Sequence, residues 1–303
     1  MTVMTEFQGK ITTLLPDFEL RLNEPLARHT SFRIGGPAEV MAFPRRREEL
    51  SELLKTSALL DCDPVILGAG TNVLAPDAGV PGLVICLKDC LDGMEQVSEN
   101  AIRVMGGVTM TRAAVFASNL GLSGLEFAHG IPGTVGGGVY MNAGAYGGEL
   151  CQVCRRVEIM EPNGEVRTLT NEEMGFSYRH SVLEDRFAIV ISAEFVLEPK
   201  EPEEIRGRMK ELMGKRSASQ PLDKPSAGSA FKRPVGGYAA ALIDEAGLKG
   251  FRIGDAAISE KHAGFAVNLG NATAEEVKQL LTTVSDRVFD RTGIRLEPEV
   301  RIW

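Results

Sequence analysis

Residues 65–79 read VILGAGTNVLAPDAG, and whether they open a dinucleotide-binding fold decides how the rest of the chain is read. Gly68-Ala69-Gly70 follows an apolar, strand-like run, as the first glycines of a phosphate-binding turn do. The third glycine is missing, because position 73 is Val. Pro76, Asp77 and Gly79 also fall where the amphipathic helix of a Rossmann unit has to run. That fingerprint therefore fails. A glycine-rich loop carrying Thr71 and Asn72 still holds phosphate through backbone N–H groups and short polar side chains, so the stretch reads as a nucleotide loop of another type.

A second such stretch lies downstream. IPGTVGGGVYMNAGAYGG, residues 131–148, has seven glycines in eighteen positions. Glycine in ordinary structure costs chain entropy, so the cluster points to tight turns or to close backbone approach to a ligand. Turns alone are expected to explain two or three of the seven. A flexible linker pairs glycine with serine and lacks the Val, Tyr and Met found here.

Composition sets the outer limits. The 303 residues, 44% hydrophobic and 24% charged, suit an ordinary globular chain of two or three domains. The net charge of 33 − 41 = −8 argues against general nucleic-acid binding. The N-terminus shows no signal-like pattern and no stretch approaches a membrane span, so a cytoplasmic protein is expected. CQVC (151–154) has the spacing of half a zinc site, but no second pair completes it. Free thiols and no metal are the expectation.

Along the chain, strands are expected at 38–43, 64–68, 82–87, 102–107 and 187–199, and helices at 47–57 and 110–121. Pro162-Asn163-Gly164 reads as the turn of a hairpin. A helix over about 203–214, stopped by Gly214, follows a polar break at EPKEPEE (198–204). A short helix follows in YAAALIDEAG (238–247). Thr273 and Glu276 form a capping box for a helix over 274–292. IRLEPEVRIW (294–303) reads as a closing strand.

Six co-linear segments carry a specific resemblance: LGAGTNVLAPDAGVPGLVI, GLEFAHGIPGTVGGGVYMNAGAYGGEL, FSYRHS, PSAGSAFKRP, ISEKHAGFAVNLGNAT and LEPEVR. Together, over about nine-tenths of the chain, they resemble the UDP-N-acetylenolpyruvoylglucosamine reductase (MurB) family. The resemblance implies an α+β architecture: a vanillyl-alcohol oxidase-like (PCMH-type) FAD-binding fold in two subdomains, 1–90 and 91–200. A C-terminal α+β substrate-binding domain, 201–303, completes it, with a closing strand near 294–302 that returns toward the FAD region. It also implies non-covalent FAD, NADPH as reductant, and an enolpyruvyl sugar nucleotide, UDP-N-acetylglucosamine enolpyruvate, as the substrate reduced on the way to peptidoglycan. A monomer without membrane insertion is expected.

By the same resemblance Ser229 is the proton donor, and Arg179 and Glu299 bind and polarise the enolpyruvyl carboxylate. Gly68, Ala69, Gly70, Thr71, Asn72 and Val73 form one FAD wall, and Ile131, Pro132, Gly133, Thr134, Gly137 and Gly138 the other. Gly144, Val190, Arg216 and Arg301 are further cofactor positions, and Tyr178, Gln220 and Arg216 join the three catalytic residues around substrate. Each has a plainer reading when taken alone: Ser229 a turn cap, Arg179 a surface ion-pairing residue, Glu299 a strand-end carboxylate, Arg216 a helix-terminal charge. Gln220 and Arg233 stand where some relatives have lysine and asparagine, and no long insertion follows SYRHS. These departures point to the subgroup with a shortened substrate loop. His129 is either a packing residue or, as in related oxidases, a flavin-attachment residue. An FAD oxidase and a non-catalytic nucleotide-binding module remain as alternatives.

Overall fold

The run 187–199 is apolar almost throughout, and the computed structural model, which describes residues 4–88 and 90–303, shows why. Strand Ile189–Val196 is the middle member of a five-stranded antiparallel sheet ordered Val166–Thr170, Cys154–Met160, Ile189–Val196, Ala101–Met105, Met94–Ser98. Both faces are covered, which demands apolar residues on every side. Val190, Ala193 and Phe195 enter one core, while Ile189 and Ile191 enter another. The hairpin is where the sequence puts it. Met160 pairs with Val166, and Gly164, at φ +82, donates to Glu161 O.

Internal contacts divide the chain into two units interleaved in sequence. The first contains residues up to Leu22, Val40–Ala69 and Gly82–Lys215; the second contains Asn23–Glu39, Gly70–Pro81 and Arg216–Trp303. In the first unit, helices Met110–Asn119, Val135–Tyr140 and Pro202–Ser219 contribute to the core that holds Phe195. Helix Arg47–Leu59 contributes to the other, beside Val65–Leu67 and Val80–Cys86, which pair in parallel.

Three sequence expectations need correction here. Helix Pro202–Ser219 runs straight through Gly214. Glycine inside a helix costs only about 1 kcal/mol, and burial of Ile205, Met209 and Leu212 holds the turns that precede it. The residues 135–140, where the glycines were expected to mark tight turns or close backbone approach, form a helix capped by Thr134 Oγ1, which accepts from Gly137 N–H at 3.3 Å. Of the closing segment only Arg301–Ile302 is strand, paired in parallel with Val73–Leu74. Pro298, which has no N–H to donate, lies in the irregular part.

The second unit is a four-stranded antiparallel sheet, Ser226–Ser229, Phe265–Asn268, Ala256–Ile258, Arg252–Ile253, with helix Ala274–Thr292 over it. The capping box is present: Thr273 Oγ1 accepts from Glu276 N–H, and Glu276 accepts from Thr273 N–H. Asp77 adds a second cap from far away in sequence, accepting from Ala274 N–H at 2.7 Å and Glu275 N–H at 3.0 Å. Ser31 Oγ donates to Ser226 O, and Asn268 Nδ2 to Phe32 O. Segments 23–39 and 70–81 are thus built into this unit.

His262, in the second unit, sits edge-on to Phe265 and accepts from Gly264 N–H through Nδ1 at 3.1 Å. Burial lowers its pKa from 6.5. Below that pH the unfolded chain takes up a proton that the folded chain resists, so stability falls as pH drops from 6.5. Thermal unfolding at a series of pH values between about 5 and 6.5 is expected to show that slope. His262→Gln, whose amide oxygen can accept the same N–H, is expected to flatten it; an unchanged slope would place the titration elsewhere.

Candidate functional site

In the first unit, Gly68 and Ala69 follow strand Val65–Leu67 and meet the start of the second glycine-rich stretch. A Cβ on Gly68 would lie 2.9 Å from Thr134 Oγ1. Around this meeting, the N–H groups of Gly68, Ala69, Gly133 and Thr134 have no hydrogen-bond acceptor among the described residues. Thr134 is buried. Buried backbone donors are ordinarily paired, and several unpaired N–H groups from two adjoining loops make a cradle for an anion. The pyrophosphate of FAD suits this donor set.

The glycine cluster itself is explained differently from the sequence expectation. Gly133 and Gly147 hold φ of +129 and +86. A Cβ would reach 3.0 Å from Gly106 O at Gly136, 2.8 Å from Met110 Sδ at Gly138 and 2.7 Å from Gly148 O at Gly144, and would strike the Phe127 ring at Gly148. The chain's own turns and packing therefore require six of the seven, not two or three. Gly137 alone is exposed with room for a side chain, 3.6 Å from Thr134 Oγ1. The case for a cofactor here rests on the unpaired amides rather than on the number of glycines. Ile131 and Pro132 lead into this turn. Val190 lies beneath it: a Cβ on Gly106 would collide with Val190 O, and Gly106 O in turn accepts from Gly136 N–H at 2.8 Å.

Tyr178 and Arg179 sit at the tip of a tight turn closed by reciprocal bonds, Ser177 N–H to His180 O at 3.1 Å and His180 N–H to Ser177 O at 3.2 Å. Arg179 has φ +56, a left-handed conformation that a long side chain adopts at a cost. Its guanidinium lies 5.2 Å from the exposed Tyr178 ring and donates to Gly144 O at 3.3 Å. Thr111 Oγ1 donates to His129 O, and His129 Nδ1 is sealed from solvent without a partner among the described residues.

The second unit gathers the remaining residues around one backbone junction. Ser229 ends strand Ser226–Ser229, opposite Phe265, after a bulge at Gly228 with φ +78. Its hydroxyl makes no hydrogen bond with any described residue. Next to it, Ala230 O accepts from Glu299 N–H at 2.9 Å. Glu299 O accepts from Asn72 Nδ2 at 3.2 Å, and Asn72 O from Arg301 N–H at 3.0 Å. The structure thus brings Ser229, Glu299, Arg301, Asn72 and Val73 to one place. Gly70 has φ +61, and a Cβ there would strike His29 O; Thr71 continues the loop. Arg216 and Gln220 lie one helical turn apart, and Gln220 Oε1 is sealed without a partner among the described residues. Arg233 stacks on the Tyr238 ring at 4.6 Å.

Other candidates contribute no site. Cys151 is half-buried and Cys154 buried, both free, and burial pushes the Cys154 thiol up to about 12. Among the described residues no group of His, Cys, Asp or Glu is placed to hold a metal ion, and no helix is long and apolar enough to cross a membrane. Sequence reasoning missed Asp77, the distant helix cap, and Asn142. The latter is buried at φ +42, and its carboxamide joins three separate segments. An asparagine amid glycines was the available signal, since Asn tolerates the left-handed region.

Comparison with known proteins gives two family matches. Residues 220–303 match the C-terminal domain of UDP-N-acetylenolpyruvoylglucosamine reductase, and residues 38–170 match an FAD binding domain. The UDP-N-acetylenolpyruvoylglucosamine reductase of Caldanaerobacter subterraneus subsp. tengcongensis is 45% identical, over 97% of this chain and 96% of that protein. Reductase 2 of that name from Symbiobacterium thermophilum is 46% identical, over 94% and 92%. The crystal structure of the enzyme (MurB) from Thermus caldophilus superposes with a TM-score of 0.77 at 37% identity, covering 94% of this chain and 98% of that one.

Proposed function

Because the chain belongs to the UDP-N-acetylenolpyruvoylglucosamine reductase family, we propose that it reduces UDP-N-acetylglucosamine enolpyruvate to UDP-N-acetylmuramate with NADPH and FAD, in peptidoglycan precursor synthesis. The observation that carries this reading is the junction of Ser229, Glu299 and Asn72, where a free hydroxyl stands beside a carboxylate-bearing residue. Bound FAD supplies hydride transfer between NADPH and the enolpyruvyl group. Ser229 Oγ then gives its proton to the carbon beside the carboxylate, and Arg179 offsets the negative charge that develops there. Glu299 binds the same carboxylate by hydrogen bonding.

The amides of Gly68, Ala69, Gly133 and Thr134 are assigned to the FAD pyrophosphate, with Gly70, Thr71, Asn72, Val73, Ile131, Pro132, Gly137, Gly138, Gly144, Val190, Arg216 and Arg301 completing its surroundings. Tyr178, Gln220 and Arg216 are assigned to substrate. In this division, subdomains 1–90 and 91–200 hold FAD and 201–303 holds substrate, with segments 23–39 and 70–81 structurally part of the latter. The short-loop subgroup suits the chain between His180 and Ile189, which holds only a turn and the short helix Val182–Glu184. A cytoplasmic monomer fits a chain that carries all three catalytic residues itself.

NADPH consumption that requires the enolpyruvyl sugar nucleotide is the expected result with purified protein. Consumption driven by oxygen alone would favour an oxidase instead. Acid denaturation is expected to leave all the flavin in the supernatant; yellow precipitated polypeptide would make His129 or a cysteine a covalent attachment site.

A further inference from the structure

We propose that Asn142 is a positioning residue for Arg179, holding the turn that carries it in the conformation that meets the substrate carboxylate. The inference rests on the role assigned to Arg179 above. It concerns the first unit alone. Segment 140–144 grips the turn at three successive points. Ser181 Oγ, buried, donates to Tyr140 O at 2.7 Å; Asn142 Nδ2 donates to Ser177 O at 3.0 Å; Gly144 O accepts from Arg179 Nη2 at 3.3 Å.

Only the middle point depends on the side chain of the gripping segment, and that side chain is almost saturated. Asn142 Nδ2 donates also to Glu149 Oε2 at 3.0 Å, while Oδ1 accepts from Cys151 N–H at 2.9 Å. The orientation of the amide is fixed by chemistry. Cys151 N–H can only donate, and Ser177 O can only accept. A carboxamide is the group that satisfies all three, and Asn is among the few non-glycine residues at home at φ +42. Ser177 starts the turn and Arg179 sits at its tip in a left-handed conformation. A shift of Ser177 therefore re-aims the guanidinium. Misplacement of a catalytic group by about 1 Å can cost 10²-fold in rate.

Asn142→Asp tests this with little change of shape. It keeps the acceptor for Cys151 N–H and the tolerance for left-handed backbone, but beside the Glu149 carboxylate it carries at most one proton and cannot donate to both Ser177 O and Glu149 Oε2. The substituted enzyme is expected to hold FAD and to oxidise NADPH at about the wild-type rate. Its reoxidation by the enolpyruvyl sugar nucleotide is expected to slow by about 10- to 100-fold. Amide hydrogen exchange across 177–181 is expected to quicken. Lower pH, which protonates the introduced acid and restores a donor, is expected to recover part of the rate. In an Arg179→Ala background the same substitution is expected to add almost nothing, because its effect passes through Arg179.

Equal slowing in both backgrounds would overturn the proposal, and so would an unchanged reoxidation rate with unchanged exchange. Wild-type reoxidation by Arg179→Ala itself would instead overturn the assignment of Arg179, and this proposal with it. Should Asn142→Asp not fold, Asn142→Gly carries the same test: it fits the same φ and removes both donations, and a wild-type rate in it would overturn the proposal.

Discussion

Ser229→Ala is expected to load FAD, oxidise NADPH at close to the wild-type rate, and then stall when enolpyruvyl substrate is added. The loss in that second half-reaction should be about 10²–10⁴-fold, the usual contribution of a positioned proton donor, or roughly 3–5 kcal/mol of barrier. The structure supports the separation of the two steps. The Ser229 hydroxyl has no hydrogen bond to any described residue, so deleting it breaks no internal hydrogen bond and leaves no buried partner unsatisfied. The strand position is held by backbone, through Ala230 N–H to Gly264 O at 2.8 Å and Ala230 O to Glu299 N–H at 2.9 Å. A small change in stability therefore accompanies a large change in rate. Ser229→Cys, which keeps a donor, should recover part of it. Reoxidation of Ser229→Ala within a few-fold of wild type would mean that water or another side chain gives the proton.

Arg179→Ala should slow reduction of substrate by about 10²–10³-fold, the range for removing one group that stabilises developing negative charge. NADPH oxidation should be nearly unaffected, because no charge develops on an enolpyruvyl group in that step. Glu299→Gln belongs to the same experiment. It keeps the main-chain bonds to Ala230 and Asn72 while replacing the carboxyl, so its effect reports the side chain alone. Stopped-flow measurement of the two half-reactions separates the possibilities. Equal slowing of both by either substitution would show that these residues hold the cofactor rather than act on substrate.

What could be read in the sequence was local. Pro162-Asn163-Gly164 closes its hairpin through neighbouring backbone, and Thr273 and Glu276 cap their helix within one turn. The residues assigned to catalysis were legible only as members of ordered motifs, since nothing in the spacing of residues 229 and 299 tells that Glu299 N–H meets Ala230 O. The glycine cluster misled in an instructive way. Three consecutive glycines have no helical tendency of their own, yet 135–140 is helical because Thr134 caps it and Gly136 N–H meets Gly106 O. Gly214 looked like a stop because the buried stripe Ile205, Met209, Leu212 and the turn beyond it are judged only in the folded state. Asp77 could not be found at all by local reasoning, for its partners lie 197 and 198 positions away.

The interleaving of the second unit also bears on how the chain is born. Asn72 and its partner Glu299 are 227 positions apart. At about 5–20 residues per second, a ribosome needs roughly ten to fifty seconds to travel between them. Phe32, Ile34 and Leu74 have no core of their own to enter until the chain passes Ala227, where the rest of their cluster begins. The early segments must wait as exposed apolar chain while later sequence is translated. Slowed elongation between residues 81 and 227 lengthens that exposure.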